Sequence, residues 1–272
     1  MESATRDGRA LRYIDTASRA GDGQTGGDQP TLVFVHGWSC DHHSFDYQLE
    51  HFARSYRVIA PDLRGHGASD PAPSYEISDF AEEVMWLCAQ LQLDRPVLIG
   101  HSMGGMVVVE AAAAYPDAVR AAVVLDSPVT DFPGMRAGVE GQLALFAGPN
   151  RLSEGAPYLR NVLFGPYDDE RRANSIADAM LATPPEVAVP SLASVIEWPE
   201  RRRLLECDQP ILCVHVAAGG PTDPTPLAKD RPNVYVAQTF GSGHFIQIEV
   251  ADQVNAMIER FLSTLPAVQT TA

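Results

Sequence analysis

The feature that restricts this chain most is a five-residue turn, Gly100-His101-Ser102-Met103-Gly104, set between an apolar run and a helical pattern. Val97-Leu98-Ile99 reads as a buried strand, and the residues through Met106 to Tyr115 read as a helix stopped by Pro116. A strand that turns so sharply into a helix brings two backbones together, and glycines two positions either side of Ser102 leave room for that approach. Ser102 is then expected in a strained conformation that pushes its hydroxyl above the sheet edge, as a nucleophile requires. The competing reading is a Gly-rich turn whose serine only caps the helix.

Around this turn lie other short, continuous apolar runs: Thr31 to His36, Arg57 to Ala60, Ala121 to Leu125, Ile211 to His215 and Val234 to Thr239. Runs without alternation are how strands covered on both faces of a parallel sheet read. Ala10 to Thr16 suggests an early strand, and the Gly-, Asp- and Gln-rich stretch from Arg19 to Pro30 an exposed loop. Between the strands, Ile77, Phe80, Ala81, Val84, Met85, Leu87, Cys88 and Leu91 form one helical stripe, and Val254, Met257, Ile258, Phe261 and Leu262 another. Strands alternating with helices predict a doubly wound α/β fold, a mostly parallel sheet flanked by helices.

The alternation fails between about Phe132 and Leu205, where helical pieces are interrupted by prolines at 133, 149, 157, 166, 184, 185, 190 and 199. This predicts an inserted helical cap at 132–205, with the core built from 1–131 and 206–272. Aromatic groups of the cap such as Phe146, Tyr158 and Trp198 are expected to reach the substrate, beside Trp38 and His101 of the core.

A serine hydroxyl is a weak nucleophile and needs a base within hydrogen-bond reach. His244, in Phe240-Gly241-Ser242-Gly243-His244-Phe245 after the last strand, is placed for that role, whereas His36, His42, His43, His51, His66, His101 and His215 fall too early or inside a strand. An acid must then orient the imidazole. Val216-Ala217-Ala218-Gly219-Gly220 offers no carboxylate after the strand at 211–215, so the acid is expected at Asp126, which ends the strand beside the serine, with Asp223 as the alternative. Two backbone amides must face the oxyanion of a tetrahedral intermediate, and those of Trp38 and Met103 are the candidates.

Composition narrows the partners. With 272 residues and a formal charge of −15, the chain is a poor match for nucleic acid or an anionic membrane, and a small molecule is the expected partner. Four unpaired cysteines, no secretory pattern and no long apolar stretch lead to the expectation of a cytoplasmic protein. Asp41-His42-His43 lacks the companions of a metal site, no nucleotide loop is present, and Arg201-Arg202-Arg203 reads as a solvated face. No cofactor is expected.

His36-Gly37-Trp38, Asp62-Leu63-Arg64-Gly65-His66-Gly67-Ala68-Ser69, the serine turn and Gly243-His244 together resemble the α/β-hydrolases of the esterase, lactonase and cofactor-free haloperoxidase group, over nearly the whole chain outside the cap. The resemblance implies an acyl-enzyme mechanism on a small to medium, largely apolar ester or lactone, with Ser102, His244 and an acid as the triad. Gly37-Trp38-Ser39-Cys40-Asp41-His42 with an acid at Asp126 also looks like the cofactor-free dioxygenases of this fold that open N-heteroaromatic rings, although Cys40 and Met103 stand where histidines are expected. An acid in that position occurs too in fungal lactonases that open a resorcylic lactone. The alternatives are therefore a dioxygenase or lyase using the His/Asp pair, and a hydrolase-fold receptor that binds without turnover.

Overall fold

In the computed structural model, which describes residues 1–18, 29–130, 134–198, 200–216, 224–229 and 231–266, the apolar runs join one eight-stranded sheet. Its strands are β1 (Glu2–Arg6), β2 (Arg9–Asp15), β3 (Leu32–Val35), β4 (Val58–Pro61), β5 (Val97–His101), β6 (Ala121–Leu125), β7 (Ile211–Val216) and β8 (Val234–Thr239), in the spatial order β1-β2-β4-β3-β5-β6-β7-β8. From β4 to β8 every pairing is parallel, while β1 and β2 are antiparallel. The polar β1 gives no apolar signal because it is held by its backbone ladder to β2. Strand β8, read from its sequence as covered on both faces, is instead an edge strand with Tyr235 half exposed, because it has a neighbour on one side only.

The central strands feed two cores. Leu98 of β5 points into the core under α2 (Ile77–Gln90) and α3 (Met103–Ala114), while Val97 and Ile99 point into the one under α1 (Asp46–Phe52) and α11 (Ala251–Leu262). Strand β5 is thereby held from both sides, and with it the turn that follows. Helix α3 is buried almost all round, and its one acidic residue, Glu110, is answered by the Trp198 indole at 2.8 Å and by Arg203 at 3.0 Å. Arg203, with about a third of its side chain exposed, reaches from the surface to Glu110 and also pairs with Glu206 at 3.0 Å, as a buried carboxylate needs a cation nearby; the side chains of Arg201 and Arg202 lie outside the described residues.

Between β6 and β7 come the helices α4 (Met135–Ala147), α5 (Arg151–Leu163), α6 (Glu170–Ala182), α7 (Pro185–Glu197) and α8 (Glu200–Glu206), where the sequence places a cap. Pro157 and Pro190, expected to interrupt helices, lie inside α5 and α7. Each removes one backbone donor, but burial of Ala156 and Leu159 in α5, and of Val187, Ala188, Leu192 and Val195 in α7, keeps both helices continuous. Short helices α9 (Thr225–Ala228) and α10 (Ile246–Glu249) flank β8, and no single helix among the described residues is long and apolar enough to cross a membrane.

The strand-to-helix crossing leaves no spare volume. A Cβ on Gly104 would stand 2.1 Å from the carbonyl oxygen of Val35, and one on Gly100 2.0 Å from that of Gly104. Both obstacles are backbone, which cannot swing aside. Gly104→Ala is expected to destabilise the fold by about 3 kcal/mol or more, read as a lower urea midpoint at unchanged slope; a midpoint equal to that of the parent would contradict this.

Candidate active site

Ser102 has φ 54° and ψ −124°, outside the regions an L-residue normally occupies. The conformation is imposed from both sides: its N–H donates to the Leu125 carbonyl at 3.0 Å, and its own carbonyl accepts the Ser127 hydroxyl at 2.6 Å. The serine side chain is left at the carboxyl edge of the sheet, facing a cavity of about 330 Å³. That is near the lower end of the range for small-molecule pockets, roughly 300–1,000 Å³.

The same cavity is lined by His244 and Asp126, and the two are hydrogen-bonded, His244 Nδ1–H donating to Asp126 Oδ2 at 2.7 Å. Asp126 is turned into this position by a φ of 40°; its N–H donates to the Val214 carbonyl at 2.7 Å and its Oδ1 accepts the N–H of Val216 at 3.2 Å. The carboxylate from β6 is thus anchored on the end of β7. Asp223 lies outside the described residues. Ser102 and His244 share the cavity wall without a hydrogen bond to each other, as is common before substrate binds. His101 also lines the cavity; its ring donates through Nε2 to the His244 carbonyl at 2.9 Å, so its role includes holding the histidine loop.

The loop after β3 passes close by: a Cβ on Gly37 would stand 3.1 Å from that of Ser102. The N–H groups of Trp38 and Met103 meet no acceptor among the described residues, leaving two backbone donors beside the serine. The Trp38 indole donates to the Ala188 carbonyl of α7 at 2.7 Å and packs edge-on against Phe146, so one residue walls the cavity and docks the helices above it. Below, Leu63 N–H donates to His36 Nε2 at 2.9 Å while His36 Nδ1–H donates to the Gly37 carbonyl at 2.8 Å. His42 donates through Nδ1 to Asp62 at 2.8 Å. Burial works against the His42 cation, yet Asp62 raises its pKa overall; burial likewise opposes the Asp62 carboxylate, but hydrogen bonds from His42 and Ala68 bring it down to about 2. These contacts make His36 and His42 braces for the loop. His42 and His43 lie ring against ring, and His43 pairs with Asp46 at the surface.

Three aromatic residues expected at the substrate do not line the cavity. Phe146 is buried against Trp38, Trp198 is turned inward to Glu110, and Tyr158 is half-buried against the core. The lining comes instead from Val139 and Gln142 of α4, Val162 to Gly165 at the end of α5, Met180 of α6, and Leu192 and Val195 of α7. Gln142 escaped notice in the sequence; its signal is an amide three residues after Val139, inside an otherwise apolar helix face. Cys40, Met180 and Phe245 separate this cavity from a second one of about 520 Å³. Burial pushes the Cys40 thiol up to about 12, so it is no nucleophile.

A family model described as the alpha/beta hydrolase fold matches residues 30–251. The 2-(acetamidomethylene)succinate hydrolase of Mesorhizobium japonicum is 29% identical over 248 residues, which cover 84% of this chain and 86% of that protein. Among solved structures, the enol-lactonase from Burkholderia xenovorans LB400 superposes with a TM-score of 0.82 at 22% identity, over 96% of this chain and 100% of that one. A thermophilic esterase from Thermogutta terrifontis, solved with malate bound, gives 0.81 at 22% identity, over 97% of each chain.

Burial of His66 and His101 near the site predicts a loss of stability in acid. His66 Nε2 and His101 Nδ1 have no partner, and burial pushes the pKa of each ring down to about 3 from 6.5. The folded state keeps both neutral, so their stabilisation is complete above about pH 6.5 and is lost as the pH falls toward 3, by about 1.4 kcal/mol per pH unit for each. Urea midpoints should therefore drop steadily below pH 6.5, with a shallower slope in His66→Gln; a flat profile in both proteins would contradict it.

Proposed function

Because this chain belongs to the α/β-hydrolase fold family, we propose that it is a serine hydrolase of small to medium, neutral, largely apolar carboxylic esters or lactones, acting through an acyl-enzyme. The observation that carries this reading is the meeting in one cavity of a strained Ser102, a carboxylate-held His244 and two backbone N–H groups without acceptors. In this mechanism His244 takes the Ser102 proton as the hydroxyl oxygen attacks the carbonyl carbon. Asp126 holds the Nδ1–H tautomer and stabilises the imidazolium. The Trp38 and Met103 amides receive the oxyanion, and each such donor is worth about 10²- to 10³-fold in rate. Collapse expels the alcohol, protonated by His244; water, deprotonated by the same ring, then releases the acid and restores Ser102. No cofactor enters these steps.

The cavity lining supports the substrate class. The Mesorhizobium relative is named for a succinate, a dicarboxylate, whereas no Lys or Arg stands among the described lining residues and the chain carries a formal charge of −15. An anionic substrate would enter such a site uncompensated. Gln142 supplies an amide against Val139, Leu192 and Val195, suited to one polar, uncharged group on an otherwise apolar acyl or lactone body. A second reading, a cofactor-free dioxygenase or lyase using His244 and Asp126 alone, draws on the pair being hydrogen-bonded while Ser102 stands apart from it.

Labelling with a fluorophosphonate and a panel of 4-nitrophenyl esters and lactones of graded length test the proposal. Ser102 should be labelled, Ser102→Ala should abolish both labelling and hydrolysis, and Asp126→Asn should lower kcat by on the order of 10⁴-fold. An unlabelled parent, together with a Ser102→Ala variant that keeps turnover and takes up oxygen with an N-heteroaromatic substrate, would replace this reading with the second.

A further inference from the structure

His244 is delivered by a loop that follows an edge strand, a weak platform for a group that must be held to a fraction of an ångström. The sheet side gives it two side-chain bonds, from His101 to its carbonyl and from its own Nδ1–H to Asp126. The rest of its support comes from the corner between α5 and α6. There the Leu163 carbonyl accepts the backbone N–H of His244 at 2.7 Å, and the Phe164 ring stacks on Phe245 with centroids 5.3 Å apart. The carboxylate of Asp168 accepts the Gly243 N–H at 3.0 Å with both oxygens, and its Oδ2 also accepts the Gly165 N–H at 2.8 Å.

The fit is tight enough to require glycine at 243. A Cβ there would stand 2.6 Å from each of Asp168 Oδ2, Gly165 N and the Leu163 carbonyl oxygen. Just beyond, Glu249 accepts the Asp169 N–H at 3.2 Å and pairs with Arg172 at 3.0 Å, which fastens the start of α6 to α10. The corner therefore grips the histidine loop at Gly243 and His244, while Gln253 of α11 holds the loop's start at Phe240; the Asp168 carboxylate hydrogen-bonds the backbones of both Gly165 and Gly243.

The geometry points to Asp168 as a positioning residue: by tying the α5–α6 corner to Gly243, its carboxylate keeps the backbone of His244 where the imidazole can serve Ser102, so the base is in place only while this corner is docked. This rests on His244 acting as the base in the proposed hydrolysis. Asp168 touches neither the substrate cavity nor the imidazole and acts only through the loop.

Asp168→Ala and Asp168→Asn separate this role from general structural damage. The asparagine carbonyl, in the place of Oδ2, still accepts both N–H groups, while the charge and the second oxygen on Gly243 are lost, so the variant keeps the tether without the carboxylate. In Asp168→Ala, kcat for a short 4-nitrophenyl ester should fall by on the order of 10²-fold, the cost of misplacing a catalytic group by about 1 Å. KM should change little, and fluorophosphonate labelling of Ser102 should slow in step with kcat. Asp168→Asn should recover most of both rates. Hydrogen exchange of the 240–245 peptide should quicken in Asp168→Ala and return to parental protection in Asp168→Asn, with both proteins folded by circular dichroism. Parental kcat in Asp168→Ala, an asparagine variant as slow as the alanine one, or unchanged exchange at 240–245 would each overturn the proposal. The exchange readout needs no activity: if the parent hydrolyses nothing yet Asp168→Ala loosens 240–245, the hydrolase reading fails and the tether stands.

Discussion

Everything at the carboxyl edge of this sheet hangs on the crossing of α3 over β3 and β5. Gly104 lies against the Val35 carbonyl and Gly100 against Gly104, so helix and strand meet through bare backbone. That contact lifts Ser102 out of the strand and brings the loop after β3 within reach. A methyl group at either glycine would separate the two elements and displace Ser102 and the Met103 N–H with them. The cost of so strained a turn is borne by the burial of β5 between two cores, which is why the serine follows the most central strand and not an edge.

Strain recurs around the same cavity. Ser102 and Asp126 both have positive φ without being glycine, and each directly follows the end of a parallel strand. Such conformations cost of order 1–3 kcal/mol apiece and persist where the surroundings dictate them. At Asp126 the surroundings are β7, whose Val214 carbonyl and Val216 N–H hold the residue from both sides. An acid supplied from β6 thus borrows its rigidity from the neighbouring strand.

The helices between β6 and β7 shape the cavity and also hold it together. Trp38 links the loop beside Ser102 to α7 and α4, and the α5–α6 corner holds the histidine loop. Both sides of the reacting centre are therefore coupled to the same group of helices. Their inward faces bring aliphatic side chains and the Gln142 amide, but no Lys or Arg among the described lining residues, which is what the proposed neutral substrate class rests on.

The chain by itself carried seven of the eight strands and the serine turn, because strand burial and glycine spacing are local properties, while the polar β1 and the edge position of β8 left no such mark. It also singled out Asp126, since a strand that ends in a carboxylate can be read without knowing its neighbours. The contacts of Phe146, Tyr158 and Trp198, the pairing of Arg203 with the buried Glu110, and the continuity of helices through Pro157 and Pro190 were decided only in three dimensions. Each depends on which face of a helix meets which partner, and apolar periodicity shows that a face is buried without showing against what. The same limit hid Gln142 and Asp168: an amide in an apolar stripe and an aspartate in a turn are brought to the cavity of Ser102 and to the N–H of Gly243 only by the packed structure, because these partners are distant in sequence.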